Sequence, residues 1–60
     1  MIKFAIVDSS GSILRTGICN PSDMSIQAGA GETAIEIPTG IEPTDTTYYW
    51  DETTSLFLEL

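Results

Sequence analysis

Alternation of apolar and polar positions organises this chain. In the segment IKFAIVD, Ile2, Phe4 and Ile6 fall on one side of an extended backbone and Lys3, Ala5 and Val7 on the other. The cluster DSSGS follows, with Gly11 free to take a positive φ. ILRTGIC, Ile13 to Cys19, then reads as a second strand, so the two runs and their turn predict a β-hairpin. Gly17 within the second run predicts a bulge or a close approach by another backbone. Asn20 precedes Pro21 and is pushed away from helix. Ser22 or Asp23 is placed to cap one helical turn over Met24–Gln27, which Gly29 and Gly31 then end. Met24, with Ile26 or Gln27, would lie over the hairpin as a lid.

ETAIEIP alternates again: Thr33, Ile35 and Ile37 on a dry face, Glu32, Ala34 and Glu36 on a wet, acidic one. Pro38 ends this strand or marks a sheet edge. TGIEPTD is a loop. TTYYWDETTSLFLEL predicts a second hairpin, with arms Thr46 to Trp50 and Ser55 to Leu60 about a turn at Asp51 to Thr54. The fold class expected is therefore mostly β. Residues 1–60 form a single small domain of two β-hairpins plus a central strand, with one short helical turn.

Length changes the energetic picture. A chain of 60 residues buries only about 60% of the surface it exposes when unfolded. Such domains usually need staples. Cys19 is the single cysteine and cannot form an intramolecular disulfide, and without histidine a Cys/His zinc site is unavailable. The strands are apolar on both faces, as in a sandwiched sheet. Sixty residues supply too little material to cover both, so a second chain is expected to help.

Charge narrows the partners. Nine acids face only Lys3 and Arg15, a net charge of −7. Nucleic acid is not expected as a partner, because phosphate binding needs a basic face, and an anionic membrane surface is disfavoured likewise. A basic protein surface, or mimicry of a polyanion, is compatible with the charge. No apolar run reaches the ~20 residues of a membrane span. Asp8 interrupts the first apolar run too early for a secretory leader, so synthesis in a cytoplasm is expected.

Motifs for chemistry are weak. Gly29-Ala30-Gly31 lacks the strand before it and the helix after it that a dinucleotide fingerprint requires, and Glu32 beside it would repel phosphate. A chain reversal is the simpler role. Asp8-Ser9-Ser10-Gly11 lacks the repeated acids of a calcium loop. Glu32 and Glu36 are roughly 13 Å apart by strand rise, too far for a paired-carboxylate mechanism of the retaining type. Cys19 has no histidine partner and reads as a small buried apolar residue. No catalytic residue, cofactor or metal is expected, and the chain is not read as an enzyme.

The aromatic positions stand out instead. Consecutive strand residues point to opposite faces, so Tyr48 and Trp50 cannot share a face with Tyr49. Phe57 likewise opposes Leu56, Leu58 and Leu60. At least one aromatic must face away from the core, and clusters of this kind mark interfaces. Tyr48, Tyr49, Trp50, Phe57 and Phe4 are the expected interface residues. Removing Trp50 is expected to abolish assembly yet leave soluble protein. Gly11, Gly17, Gly29, Gly31 and Pro38 are the expected architectural positions.

GSILRTGICNPSDMSIQAGAGETAIEIP followed by TTYYWDETTSLFL resembles a family of short tailed-bacteriophage proteins and tail-fibre-associated modules. The resemblance is carried by Gly11, Ile13, Leu14, Arg15, Gly17 and Cys19, then by Asp23, Met24, Gln27, Ala28, Gly29, Gly31, Glu32 and Glu36. It covers nearly the whole chain. The last residues, FLEL, differ from the basic or proline-rich tail that the family often carries. The resemblance implies a virion structural role and supplies no catalytic residue.

The expected function is thus a non-enzymatic bacteriophage virion structural protein, an accessory subunit of the tail or tail fibre. Its expected partners are other virion proteins and further copies of itself. Capsid decoration is the first alternative. An acidic inhibitor mimicking DNA is the second, disfavoured because the acids are scattered and many lie in turns. Arg15 is placed to pair with Glu32 or Glu36 across the sheet.

Overall fold

A computed structural model describes residues 1–44 and 46–60. Five strands and one short helix follow one another as β1 (Ile2–Val7), β2 (Ile13–Cys19), α1 (Met24–Gln27), β3 (Thr33–Glu36), β4 (Tyr48–Asp51) and β5 (Leu56–Glu59). A single 3-10 turn, Pro21–Asp23, leads into α1. The domain is mostly β, as the alternation predicts. β1 is the middle of an antiparallel three-stranded sheet in the order β2-β1-β3, and β4 pairs with β5 alone. The strand that lies between the hairpins in sequence, β3, is thus an edge in space.

Register explains the two faces. Ile6 lies opposite Arg15 of β2 and Ala34 of β3, and Phe4 lies opposite Gly17 and Glu36. Ala5 lies between Thr16 and Ile35. Residues directly opposite share a face, so Phe4 and Ile6 serve one side of the sheet, Ala5 and Val7 the other. Each side has its own core. Phe4, Ile6 and Cys19 pack with Ile2, Met24, Ala28 and Ala34 under α1. Ala5, Val7, Ile13, Ile37 and Phe57 pack with Ile35, Ile41, Tyr48 and Trp50 under the second hairpin. Ala5 and Ile6 are both 0% exposed.

The sequence leads one to expect help from a second chain in covering both faces of β1; within this chain β1 is already enclosed. The chain covers both faces of β1 itself, with four helical residues on one side and a hairpin on the other. The Cα radius of gyration, 10.5 Å, matches the ~10 Å of a compact domain this long.

Several local expectations change. β2 carries its bulge at Leu14: Arg15 opposes Ile6, Ile13 opposes Val7, and Leu14 lies between without a partner. Gly17 is regularly paired, and its missing side chain is filled by the Phe4 ring, since an added Cβ would stand 2.8 Å from Phe4 Cζ. The close approach predicted at Gly17 is therefore by a side chain, not a backbone. Of the Gly29–Gly31 pair only Gly31 has positive φ, at 75°. Met24 and Ala28 form the underside of the lid, and Ile26 points into solvent. Asp23 occupies the N-cap position of α1 without a side-chain capping bond. Ala34 belongs to the core under α1, so the Glu32/Ala34/Glu36 face is wet only at its two acids. Pro38 lies exposed beyond the end of β3.

The second hairpin is one residue out of the expected phase at its turn. Asp51 belongs to β4, and Ser55 belongs to the turn with φ 57°. Thr46 and Thr47 precede the strand. The Thr47 and Tyr48 N–H groups both donate to Thr44 O at 3.2 Å, closing a turn before β4 begins.

Candidate docking surface

The two hairpins meet at Gly11. Its φ is 88°, and its carbonyl accepts from the Trp50 N–H at 2.8 Å. An added Cβ would collide with the Trp50 carbonyl oxygen. Glycine is required here on two counts, the turn and the backbone contact. This contact fixes how β4 lies against the first hairpin.

From there the register of β4 with β5 decides which aromatics are free. Trp50 lies opposite Phe57, and their rings meet edge to face with centroids 5.0 Å apart. Both turn toward the core under the hairpin, together with Tyr48. Tyr49 lies opposite Leu58, and Asp51 opposite Leu56. Alternation therefore sends Tyr49, Leu56 and Leu58 to the outer side. Leu56 and Leu60 are exposed, and Tyr49 and Leu58 half-buried.

The five expected interface residues are thus not one surface. Phe4 is buried beneath α1, covering Gly17, and Phe57 is buried in the other core. Neither can touch a partner while the fold is closed, because each fills the centre of its own core. Tyr48 and Trp50 support the core at its margin. Tyr49 alone of the five looks outward, and its company is Leu56, Leu58 and Leu60. Strand alternation gave the opposition of Tyr49 to Trp50; the pairing of Trp50 with Phe57 chose which of the two was inside.

Beside this apolar face runs a cleft of about 620 Å³. The second hairpin lines it with Tyr49, Trp50, Asp51 and Glu52. The β1–β2 turn brings Asp8, and the turn before β3 brings Glu32. Most of these acids already build the fold. Asp8 Oδ1 accepts from the Ser10 N–H at 2.9 Å, the Ser10 hydroxyl at 2.7 Å and the Ser12 N–H at 3.0 Å. These bonds, the Ser10 hydroxyl first, hold the Asp8 pKa below its ordinary 3.8. Asp51 Oδ1 accepts from the Thr53 N–H at 3.2 Å and Oδ2 from the Thr54 hydroxyl at 2.8 Å. Only after the fold is known do Asp8-Ser9-Ser10 and Asp51-Glu52-Thr53 read as turn locks, though aspartate two residues before a hydroxyl residue is a usable signal.

Glu32 is held by Arg15. Arg15 and Ala34 flank Ile6 in one row, so the guanidinium reaches over β1 to the turn before β3. Its Nη2 lies 2.8 Å from Glu32 Oε1 and donates to Gln27 O at 3.2 Å, while Nη1 donates to Glu32 Oε2 at 3.4 Å. Glu32 Oε1 also accepts the Gly29 N–H at 2.9 Å. The Arg15 bonds, then the Gly29 N–H, lower the Glu32 pKa from its ordinary 4.5, and Glu32 in turn raises that of Arg15. The expected cross-sheet pair is present, with Glu32 as the acid, and it fastens the end of α1 to β2.

Lys3 Nζ lies 3.5 Å from Glu42 Oε1. Both cations of the chain are therefore engaged with its own carboxylates, and the remaining surface charge is negative. Among the described residues no group of three or more Cys, Asp or Glu side chains converges as a metal ion would require, so the cleft acids are spread along its rim. Among the described residues no helix is long and apolar enough to cross a membrane. Compared with protein families, curated proteins and solved structures, the chain finds no match.

Proposed function

We propose that this chain is a non-enzymatic structural subunit of a tailed-bacteriophage virion, docked on a tail or tail-fibre protein through the outer side of its second hairpin. One observation carries the docking role. β4 and β5 turn Trp50 and Phe57 inward and leave Tyr49, Leu56, Leu58 and Leu60 outward, next to the cleft rimmed by Asp8, Glu32, Asp51 and Glu52. An apolar patch rimmed by like charge suits a protein partner with an apolar centre and a basic margin. The phage setting rests on the resemblance carried by Arg15, Gly17, Asp23, Met24, Gly29, Gly31 and Glu32.

Tyr49 is the residue that reads this surface. Trp50 cannot serve, because its removal would loosen the core. The test counts the chain in purified particles of the phage that encodes it, by quantitative mass spectrometry. A fixed number of copies per particle, reduced by Tyr49→Ala with folding unchanged, is expected. Absence of the chain from particles would sink the virion reading. Full incorporation of the Tyr49→Ala and Leu56→Ser variants would sink the docking surface.

A further inference from the structure

β2 is an open edge of the three-stranded sheet. The Ile37 N–H donates to Lys3 O at 2.9 Å, so Lys3 turns its peptide groups toward β3. Ile18, opposite Lys3, must then turn its own N–H and C=O away from β1, toward the open side. Alternation places Thr16 the same way, opposite Ala5. Among the described residues no backbone bond outside the ladder engages Thr16 or Ile18. The side chains on this edge are unusual for a solvent-facing strand: Leu14 is 47% and Ile18 61% exposed. Edges are normally blunted by outward charge or proline. β3 meets that rule with Glu36, and with Pro38 just beyond it. β2 does not, because its one charge, Arg15, is drawn back over β1 to Glu32.

We infer that a second copy of this chain adds to the sheet here, β2 antiparallel to β2 about a twofold axis at Thr16. Three features select a copy over another occupant. The first is self-complementarity. With Thr16 opposite Thr16 of the second copy, Leu14, which the bulge leaves unpaired toward β1, comes level with Ile18 of the second copy, twice. The exposed apolar side chains at the two ends of the contact are brought together, and Arg15 meets only Gly17 of the second copy. Thr16 and Ile18, whose peptide groups point outward, fall at the paired positions that need them. The second feature is charge. The chain carries −7, which opposes self-association over most of its surface, but no acid lies between Asp8 and Asp23. β2 itself brings no carboxylate to the contact, and the acid nearest its edge, Glu42, lies 3.5 Å from Lys3 Nζ. The third is a receptacle. A groove of about 340 Å³ beside Ile18 has an apolar floor of Ile37, Ile41 and Pro43 and is flanked by the Lys3–Glu42 pair, and it offers Leu14 of the second copy a seat. The paired sheets form one six-stranded sheet. This assembly does not depend on the virion setting: it concerns the free chain.

The test is sedimentation equilibrium of the intact chain from micromolar to millimolar concentration, alongside far-UV circular dichroism. Wild type is expected as monomer and dimer, with the Thr16 and Ile18 amides exchanging more slowly as concentration rises. Thr16→Pro removes an outward donor that the intrachain ladder does not use. It is expected to raise the dimer dissociation constant at least about tenfold. Ile18→Glu places its new acid opposite Lys3, so the fold tolerates it, and sets that acid on the edge of each copy; it is expected to sediment as monomer. A wild type that stays monomeric throughout would overturn the inference. So would a dimer unaffected by Ile18→Glu, or an assembly that grows beyond two copies.

Discussion

Gly11→Ala probes the joint between the two hairpins. Three costs arise from one methyl group. The residue holds φ 88°, and a left-handed backbone costs an L-residue about 1–2 kcal/mol. The Trp50 N–H bond to Gly11 O, 2.8 Å long, is worth about 1 kcal/mol. The new Cβ also collides with the Trp50 carbonyl, which is backbone within a strand and cannot swing aside. Together these predict a loss of about 3 kcal/mol or more, against a total stability of roughly 3–9 kcal/mol for a domain this size. Gly31→Ala is the control. Gly31 also has positive φ, 75°, but its Cβ would meet nothing within 4 Å, so only the backbone cost of about 1–2 kcal/mol applies. Urea unfolding followed by Trp50 fluorescence and circular dichroism compares the two. With a slope near 1 kcal/mol per molar, Gly11→Ala should lower the midpoint by about 3 M and Gly31→Ala by about 1–2 M. Equal shifts would refute the claim that Gly11 is the point at which the hairpins dock.

Other outcomes follow from the same geometry. Ile6→Ala, at a fully enclosed position in the middle of the sheet, should cost about 2–5 kcal/mol and leave much of the chain unfolded in thermal melts; a loss below that range would mean the α1 side repacks freely. Trp50→Ala should lower stability by removing the ring against Phe57, visible as an earlier melting transition, whereas Tyr49→Ala should melt like wild type. The carboxyl of Asp8 is acidified in the folded chain, so its contribution is present above its unfolded pKa and is lost as pH falls through 3.8 and below. Acid titration of stability should therefore be shallower in Asp8→Ala than in wild type, and parallel curves would show that the Ser10 and Ser12 bonds do not persist in solution. Glu32→Ala should leave the sheet intact but speed hydrogen exchange at the Gly29 amide, since the carboxylate is its acceptor.

Much of the fold was legible because alternation and turn residues coincide. Ile2 to Cys19 announces a hairpin through its two strand runs and the Asp8–Gly11 cluster, and the same holds for Tyr48 to Leu60. What alternation cannot say is what covers each face. It marks Phe4/Ile6 and Ala5/Val7 as two apolar sides, but the covers, Met24 with Ala28 and the second hairpin, come from segments whose own signals are short and local. The bulge at Leu14 was hidden for a related reason. A glycine, Gly17, drew the expectation, yet the irregularity arises where β2 enters from the Gly11 turn. For the docking surface, Tyr49, Trp50 and Phe57 were equally good candidates by residue type. Only the register of β4 with β5, which places Trp50 against Phe57, separates the outward ring from the inward ones.

The position of β1 carries a kinetic consequence. It leaves the ribosome before every element that encloses it, and its partners are spread from Ile13 to Phe57. The β1–β2 hairpin is local and forms on the timescale of microseconds. Capping by Met24 and Ala28 comes next in the order of synthesis. The Ala5/Val7 side stays wet until Trp50 and Phe57 have been made. During translation the nascent chain is therefore a half-covered sheet with an apolar flank, and the last hairpin acts as a latch. A chain whose synthesis stops between Glu36 and Tyr48 would lack Trp50 and Phe57, leave that flank open and give a sticky product in place of a smaller stable domain.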